Sequence, residues 1–247
     1  MKIALVTGGS RGIGRATSLL LARQGYCVVV NYRQNSAAAE EVVAQILQQG
    51  GHGVAIQADI AEEEQVMAMF RQINGLSGTL SALVNNAGIL FQQTTVEQLT
   101  ADRITRVFAT NVLGTFLCCR EAVKRMGYHH GGQGGAIVNV SSAAARTGSP
   151  TEYVDYAASK GAMDTLTRGL SLEVAAQGIR VNSVRPGAVY TEMHADGGEP
   201  GRVDRVAPAL PMQRGGQPEE IAQAISWLIS EAASYVTGTF IDASGGR

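Results

Sequence analysis

A tyrosine and a lysine four positions apart, Tyr156 and Lys160 in the run Tyr156-Ala157-Ala158-Ser159-Lys160, put a phenol and an ammonium on one face of a helix. The positive charge favours phenolate over phenol, drawing a group of ordinary pKa about 10 toward the range where it exchanges protons near neutrality. That is the chemistry of a general acid or base. Spacing alone is weak ground, because the same two residues fall four apart in many helices that do no chemistry.

Such a pair acts only where other elements hold it beside a substrate. Short runs rich in β-branched residues alternate with longer segments of helical period. The pattern predicts strands near 2–7, 26–32, 53–58, 80–85, 135–141, 179–184 and 238–242. It predicts helices near 12–24, 36–50, 62–75, 100–126, 155–177 and 217–230. Strict alternation implies an α/β chain: a single-domain Rossmann fold over residues 1–247, with a doubly wound seven-stranded parallel sheet and helices on both faces. Ligands then bind at the carboxyl ends of the strands.

Residues 188–216 break the rhythm. With Pro200, Pro208 and Pro211 among Gly197, Gly198 and Gly201, the segment reads as a mobile lid over a substrate or as a disordered insertion. The run Gly131-Gly132-Gln133-Gly134-Gly135 reads as a flexible helix-to-strand connection.

A hydrophobic content of 45% in 247 residues is ample for a continuous core. The net charge of -1, with both signs mixed, leaves no basic footprint for nucleic acid or an anionic membrane. No apolar run approaches the roughly 18 residues of a membrane span, and the start Lys2-Ile3-Ala4-Leu5-Val6-Thr7 is too short for a secretory signal. Cys27, Cys118 and Cys119 sit in apolar patterns without paired spacing, which fits a reducing cytoplasm. His52, His129, His130 and His194 show no metal-ligand spacing, so no metal site is expected, although His194 in the lid can reach a substrate.

Thr7-Gly8-Gly9-Ser10-Arg11-Gly12-Ile13-Gly14 lies between the first strand and the first helix, where backbone amides and the helix dipole suit a pyrophosphate. The spacing of Gly8, Gly12 and Gly14 departs from the commoner G-x-G-x-x-G pattern, and a tight strand-to-helix turn is the plainer alternative. Further on come Asn85-Asn86-Ala87-Gly88 at the end of the fourth strand, Asn111, Ser142, Tyr156 and Lys160, and Pro186-Gly187 followed by Thr191. In order and spacing these motifs resemble those of the short-chain dehydrogenase/reductases over essentially the whole chain.

The resemblance implies that Tyr156 gives a proton to a carbonyl oxygen, or takes one from an alcohol, while hydride passes to or from a nicotinamide. It implies that Ser142 holds the substrate oxygen, that Lys160 lowers the pKa of Tyr156 and bonds the nicotinamide ribose, and that Asn111 holds a water linking Lys160 to solvent. An Asn inside a helix has poor propensity, and a kink at Asn111 is a compatible reading. Ser142 to Tyr156 is one residue longer than the family's more usual spacing, which leaves Ser141 and Tyr153 as rivals. Tyr153 fails because position 157 is Ala.

The implied cofactor-binding set is Gly8, Ser10, Arg11, Gly12, Ile13, Gly14, Asn31, Tyr32, Arg33, Asp59, Ile60, Asn86, Ala87, Gly88, Tyr156, Lys160, Pro186, Gly187, Val189 and Thr191. Asp59 is either the adenine-binding carboxylate or a cap for the helix from about residue 62. After the second strand no acid precedes Glu40, whereas Arg11 and Arg33 are placed to grip a 2′-phosphate, so NADP(H) is expected over NAD(H).

Within the family the chain is similar to glucose 1-dehydrogenases and to 3-oxoacyl-thioester reductases. Leu172, just before Glu173, stands where reductases of carrier-protein substrates often offer a basic residue, which turns the reading away from a carrier-linked substrate. Glu192, His194, Asp196, Glu199, Arg202 and Asp204 suit a small polyhydroxy or polar carbonyl compound, or else are solvated. A dinucleotide-binding sensor without turnover is the alternative from another class. The long helices near 100–126 and 155–177 pair between subunits in the family, which implies a homotetramer.

Overall fold

The computed structural model describes every residue from Met1 to Arg247. Its strands are β1 (Lys2–Val6), β2 (Cys27–Tyr32), β3 (His52–Gln57), β4 (Thr79–Asn85), β5 (Gly135–Val140), β6 (Ile179–Pro186) and β7 (Phe240–Ala243). They form one seven-stranded sheet in the order β3-β2-β1-β4-β5-β6-β7, with every neighbouring pair parallel. The winding direction reverses between β1 and β4, which opens a crevice at the carboxyl ends of those strands.

Around the sheet lie α1 (Gly12–Arg23), α2 (Ser36–Gln48), α3 (Glu63–Asn74), α4 (Ala101–Phe108), α5 (Gly114–Met126), α6 (Ala144–Thr147), α7 (Val154–Glu173), α8 (Met193–Asp196), α9 (Arg202–Val206) and α10 (Pro218–Ile229). Successive strand residues point to opposite faces, so β1 sends Ile3 and Leu5 into a core with Phe70, Leu117 and Ile137. Its Ala4 and Val6 enter a second core with Leu21, Ile46 and Ile225. Because both faces are covered, the central strands read as unbroken apolar runs rather than as alternating ones.

Local chemistry sets several helix starts. Asn35 accepts the amide of Ala38 at 3.0 Å to begin α2, and Thr100 accepts that of Arg103 at 3.2 Å to begin α4. At α10, Gln217 and Glu220 form a capping box ahead of Pro218 in the first turn.

Three expectations change. The helix near 100–126 is broken: Ala109–Leu113 forms a π-helical turn between α4 and α5, and Asn111 lies buried in it. The segment 188–216 is more regular than its prolines and glycines suggest, since α8, α9 and a 3-10 turn at Ala207–Ala209 fall within it. The third helix starts at Glu63 with Glu62 at its cap position, so Asp59 is not its cap; the Asp59 carboxylate accepts the Ala61 amide at 3.0 Å instead.

Candidate active site

At the crevice, β1 passes into α1 through the glycine loop. Gly8 and Gly12 adopt φ of +59° and +50°, left-handed backbone that glycine takes without steric cost. A Cβ on Gly14 would lie 2.2 Å from the Gly8 carbonyl oxygen and 2.5 Å from Asn86 Nδ2, so α1 approaches the loop this closely only with glycine there. Asn86 Nδ2 donates to the carbonyls of Thr7 and Gly8, each at 3.0 Å, and the Asn86 and Ala87 amides both donate to Thr7 Oγ1. Asn31 is buried; its Oδ1 accepts the Gly8 amide at 3.3 Å while its Nδ2 donates to Ile56 and Ala58 carbonyls. Asn31 therefore shapes the loop from beneath rather than facing a ribose.

With the loop so fixed, the amides of Gly12, Ile13 and Gly14 have no acceptor within the chain. Free amides at the positive end of a 12-residue helix fit a phosphate group.

On the other side of the crevice, α7 carries Tyr156, Lys160, Met163 and Thr167 on one buried stripe facing the sheet. Lys160 Nζ donates to the Val140 carbonyl at 2.7 Å, at the end of β5, and lies 5.6 Å from the centre of the Tyr156 ring. Burial pushes the Tyr156 phenol up to about 12, with the neighbouring Ser142 hydroxyl acting in the opposite direction. Burial also pulls Lys160 down to about 8, against the negative charge of Asp164. Burial is thus the dominant influence on the Tyr156 phenol.

The serine rivalry resolves through hydrogen bonds. Ser141 is buried and its hydroxyl donates to the Lys160 carbonyl at 3.2 Å, whereas Ser142 Oγ accepts the Ala144 amide at 3.1 Å and faces Tyr156. Tyr153 sits at the cap of α7, its hydroxyl donating to the Gly197 carbonyl at 3.3 Å and its ring packed with Leu90 and Tyr156. Asn111 Nδ2 donates to Ile89 O and Ser159 Oγ, each at 3.0 Å, and its Oδ1 accepts the Ile89 amide at 2.8 Å. It ties the loop after β4 to α7. Gly88 leaves room beside both residues: a Cβ there would be 3.4 Å from Asn111 Oδ1 and 3.5 Å from Lys160 Nζ.

One cleft brings together Ile13, Asn86, Ser142, Tyr156, Lys160, Pro186, Gly187, Val189 and Thr191. Gly8, Ser10, Arg11, Gly12, Gly14, Asn31, Tyr32, Arg33, Asp59, Ile60, Ala87, Gly88 and Asn111 lie outside its lining. Arg33 is about half exposed at the end of β2, with Nη1 3.9 Å from Asp59 Oδ2, an acid that sequence order had kept apart from it. Ile60 is in the core, packed where Gly114 of α5 would carry a Cβ, 2.7 Å away.

Beside polar Thr147, Ser149, Tyr153, His194 and Arg202, the cleft has apolar walls that no spacing announced: Leu90, Met193 and Val206. Only their apolar character was visible, and that is shared by many core residues. The lid's acids turn elsewhere. Asp196 pairs with Arg11 at 2.6 Å, Asp204 accepts the Tyr190 hydroxyl at 2.7 Å, and Glu199 is held down to about 2 by Arg205. Arg202 donates to Glu152 at 2.5 and 2.8 Å and stacks 5.2 Å from the Tyr153 ring. Burial lowers the pKa of His194, whose Nε2 lies 2.9 Å from the Val189 carbonyl.

Comparison with known proteins points the same way. Residues 8–247 match the family model described as enoyl-(acyl carrier protein) reductase. The "uncharacterized oxidoreductase YgfF" of Escherichia coli (strain K12) is 71% identical over 247 residues, covering 100% of both chains. The "glucose 1-dehydrogenase 2" of Bacillus subtilis (strain 168) is 36% identical, covering 99% of this chain and 94% of its own. A 3-oxoacyl-[acyl-carrier-protein] reductase of Synechocystis is 37% identical, covering 99% and 96%. The solved structure of a short-chain dehydrogenase/reductase from Serratia marcescens superposes with a TM-score of 0.90 at 34% identity, covering 99% of this chain and 97% of that one. Identity of this extent over nearly the whole chain, with the family model matched over residues 8–247, makes this chain an oxidoreductase of the short-chain dehydrogenase/reductase family, which binds a nicotinamide dinucleotide.

Proposed function

We propose that the chain is an NADP(H)-dependent oxidoreductase that interconverts a small carbonyl compound and its alcohol, with Tyr156 as general acid or base. The observation that carries this reading is the convergence of Ser142, Tyr156 and Lys160 in one cleft with Ile13 of the glycine loop. A nicotinamide bound there supplies or accepts a hydride. Tyr156, protonated at neutrality by its burial, donates to the carbonyl oxygen in reduction, and Ser142 orients that oxygen. Lys160, anchored on Val140, holds a positive charge beside the phenol and within reach of a ribose.

NADP(H) is favoured by the chemistry at the end of β2, where Arg33 follows Tyr32 and no acid intervenes, and by Arg11 in the loop. Arg11 is paired with Asp196 at 2.6 Å and Arg33 stands 3.9 Å from Asp59, so at each guanidinium a 2′-phosphate meets a neighbouring carboxylate.

For the substrate, the apolar walls Leu90, Met193 and Val206 beside polar Thr147, Ser149, His194 and Arg202 favour a small polar ketone or aldehyde. A sugar would meet those polar side chains without help from the acids Asp196, Glu199 and Asp204, which are engaged with Arg11, Arg205 and Tyr190. A 3-oxoacyl thioester is the second reading, favoured by the relative named for that activity. Leu172, 75% exposed, puts an apolar group where carrier recognition calls for a cation.

Three buried cysteines, none in a disulfide, suit a reducing cytoplasm. Exposed Ile104, Leu113 and Phe116 along α4 and α5 suit a homotetramer interface.

The test is NADPH oxidation with ketones, aldehydes and acyl thioesters, together with glucose and NADP in the oxidative direction. Turnover is expected first with small ketones or aldehydes, and Tyr156→Phe should lower kcat by about 10²–10⁴-fold while NADPH still binds. Cofactor binding without turnover of any substrate would mark a sensor instead.

A further inference from the structure

The glycine loop and the lid, 185 positions apart in sequence, are joined by an ion pair: Arg11 Nη2 donates to Asp196 Oδ2 at 2.6 Å. Arg11 is the residue that caps α1, next to the free amides of Gly12 and Ile13. Asp196 closes α8, immediately before Gly197 and Gly198. Alongside, Thr191 Cγ2 and Glu192 Oε2 lie 3.1 and 3.4 Å from where a Cβ on Gly12 would be. Two lid carboxylates therefore stand over a loop whose amides and guanidinium suit phosphate oxygens.

We propose that Asp196 is a positioning residue that sets cofactor selectivity: it holds Arg11 in the lid's ion pair, and the 2′-phosphate of NADP(H) must take Arg11 from it. The proposal rests on the reading of Arg11 as a 2′-phosphate ligand. A guanidinium presents one planar fork, and a phosphate fills it with more charge and more acceptor oxygens than a carboxylate does. The pair is weak enough to yield, since its side chains are 50% and 46% exposed and solvent screens them. When Arg11 turns to phosphate, α8 loses its tie to the loop. The rest of the lid stays pinned through Arg202 to Glu152 and through Gly197 to Tyr153. NADH, having no 2′-phosphate, gains little from a freed Arg11.

Fluorescence titration of the full chain with NADPH and NADH, for the natural protein, Asp196→Asn and Asp196→Glu, tests this. Because the pair is on the surface, neither variant threatens folding. Asp196→Asn should tighten NADPH binding by about twofold to fivefold, the range expected from releasing an exposed ion pair, and tighten NADH binding less. Asp196→Glu, which keeps the carboxylate, should restore the original selectivity. An unchanged or weakened NADPH affinity in Asp196→Asn, or equal tightening for both cofactors, overturns the proposal while leaving the NADP(H) reading standing. Equal affinities of the natural protein for NADPH and NADH would overturn that reading, and the proposal with it.

Discussion

Tyr156 and Lys160 are both buried, and burial drives each toward its neutral form: the phenol up to about 12 and the amine down to about 8. A phenol raised in this way stays protonated across neutral pH, which is the form that reduction needs. Oxidation needs the deprotonated form, whose fraction rises roughly tenfold per pH unit below the pKa. With a carbonyl and NADPH, kcat/KM should therefore be nearly flat from about pH 6 to 7 and fall above that as Lys160 loses its charge, whereas with the alcohol and NADP it should climb as pH rises from about 6 to 7. Initial rates in both directions across that range check the sign; an oxidative rate that falls with pH would remove Tyr156 from the role of base. The four-residue spacing was legible in sequence, but the direction of the pKa shifts was not, because desolvation depends on what the sheet and the lid place around the pair.

At the scale of the element, α7 is aimed by a charge that plays no part in the chemistry. Asp155, in its first turn and 1% exposed, takes two hydrogen bonds from the Arg103 guanidinium of α4, at 2.7 and 3.2 Å. Arg103 also donates to the Gln92 carbonyl at 2.6 Å, so one guanidinium joins α4, α7 and the loop after β4. Asp155→Ala leaves a cation largely buried and unpaired, and should cost about 2–4 kcal/mol in chemical denaturation, with loss of activity following from the shift of Tyr156. Asn111 works in the same place. Its poor helix propensity pointed to a kink, and the π turn supplies one, but its two partners, Ile89 and Ser159, come from segments far from it in sequence. A helix drawn straight from 100 to 126 misses the extra residue in that turn, because hydrophobic periodicity barely registers a single insertion.

For the molecule as a whole, the sheet order sets glycine loop and α7 on opposite sides of one crevice, and the lid crosses it on ion pairs anchored to both. Exposed apolar side chains remain outside this arrangement: Leu113 and Phe116, each 48% exposed, lie on one stretch of α5 and the turn before it. Covering such a patch favours association. On the homotetramer proposal, Phe116→Glu should shift the protein toward smaller species in light scattering coupled to size exclusion; a monomeric natural protein would end that proposal.

The alternation of apolar runs with helical periods was enough to place all seven strands within two residues or so of their limits, because each depends on local burial and local turn chemistry. The glycine spacing and the Ser142, Tyr156 and Lys160 set were legible through the resemblance of their order and spacing to the family's motifs, since either spacing alone carries little. What folding alone decided were the contacts between distant segments. Among them are Asp59 beside Arg33, Asp196 on Arg11, Tyr153 as a cleft wall and Asn111 between two elements. Charge and hydrogen-bond partners depend on distances in space, and position along the chain does not encode those until the sheet has closed its core.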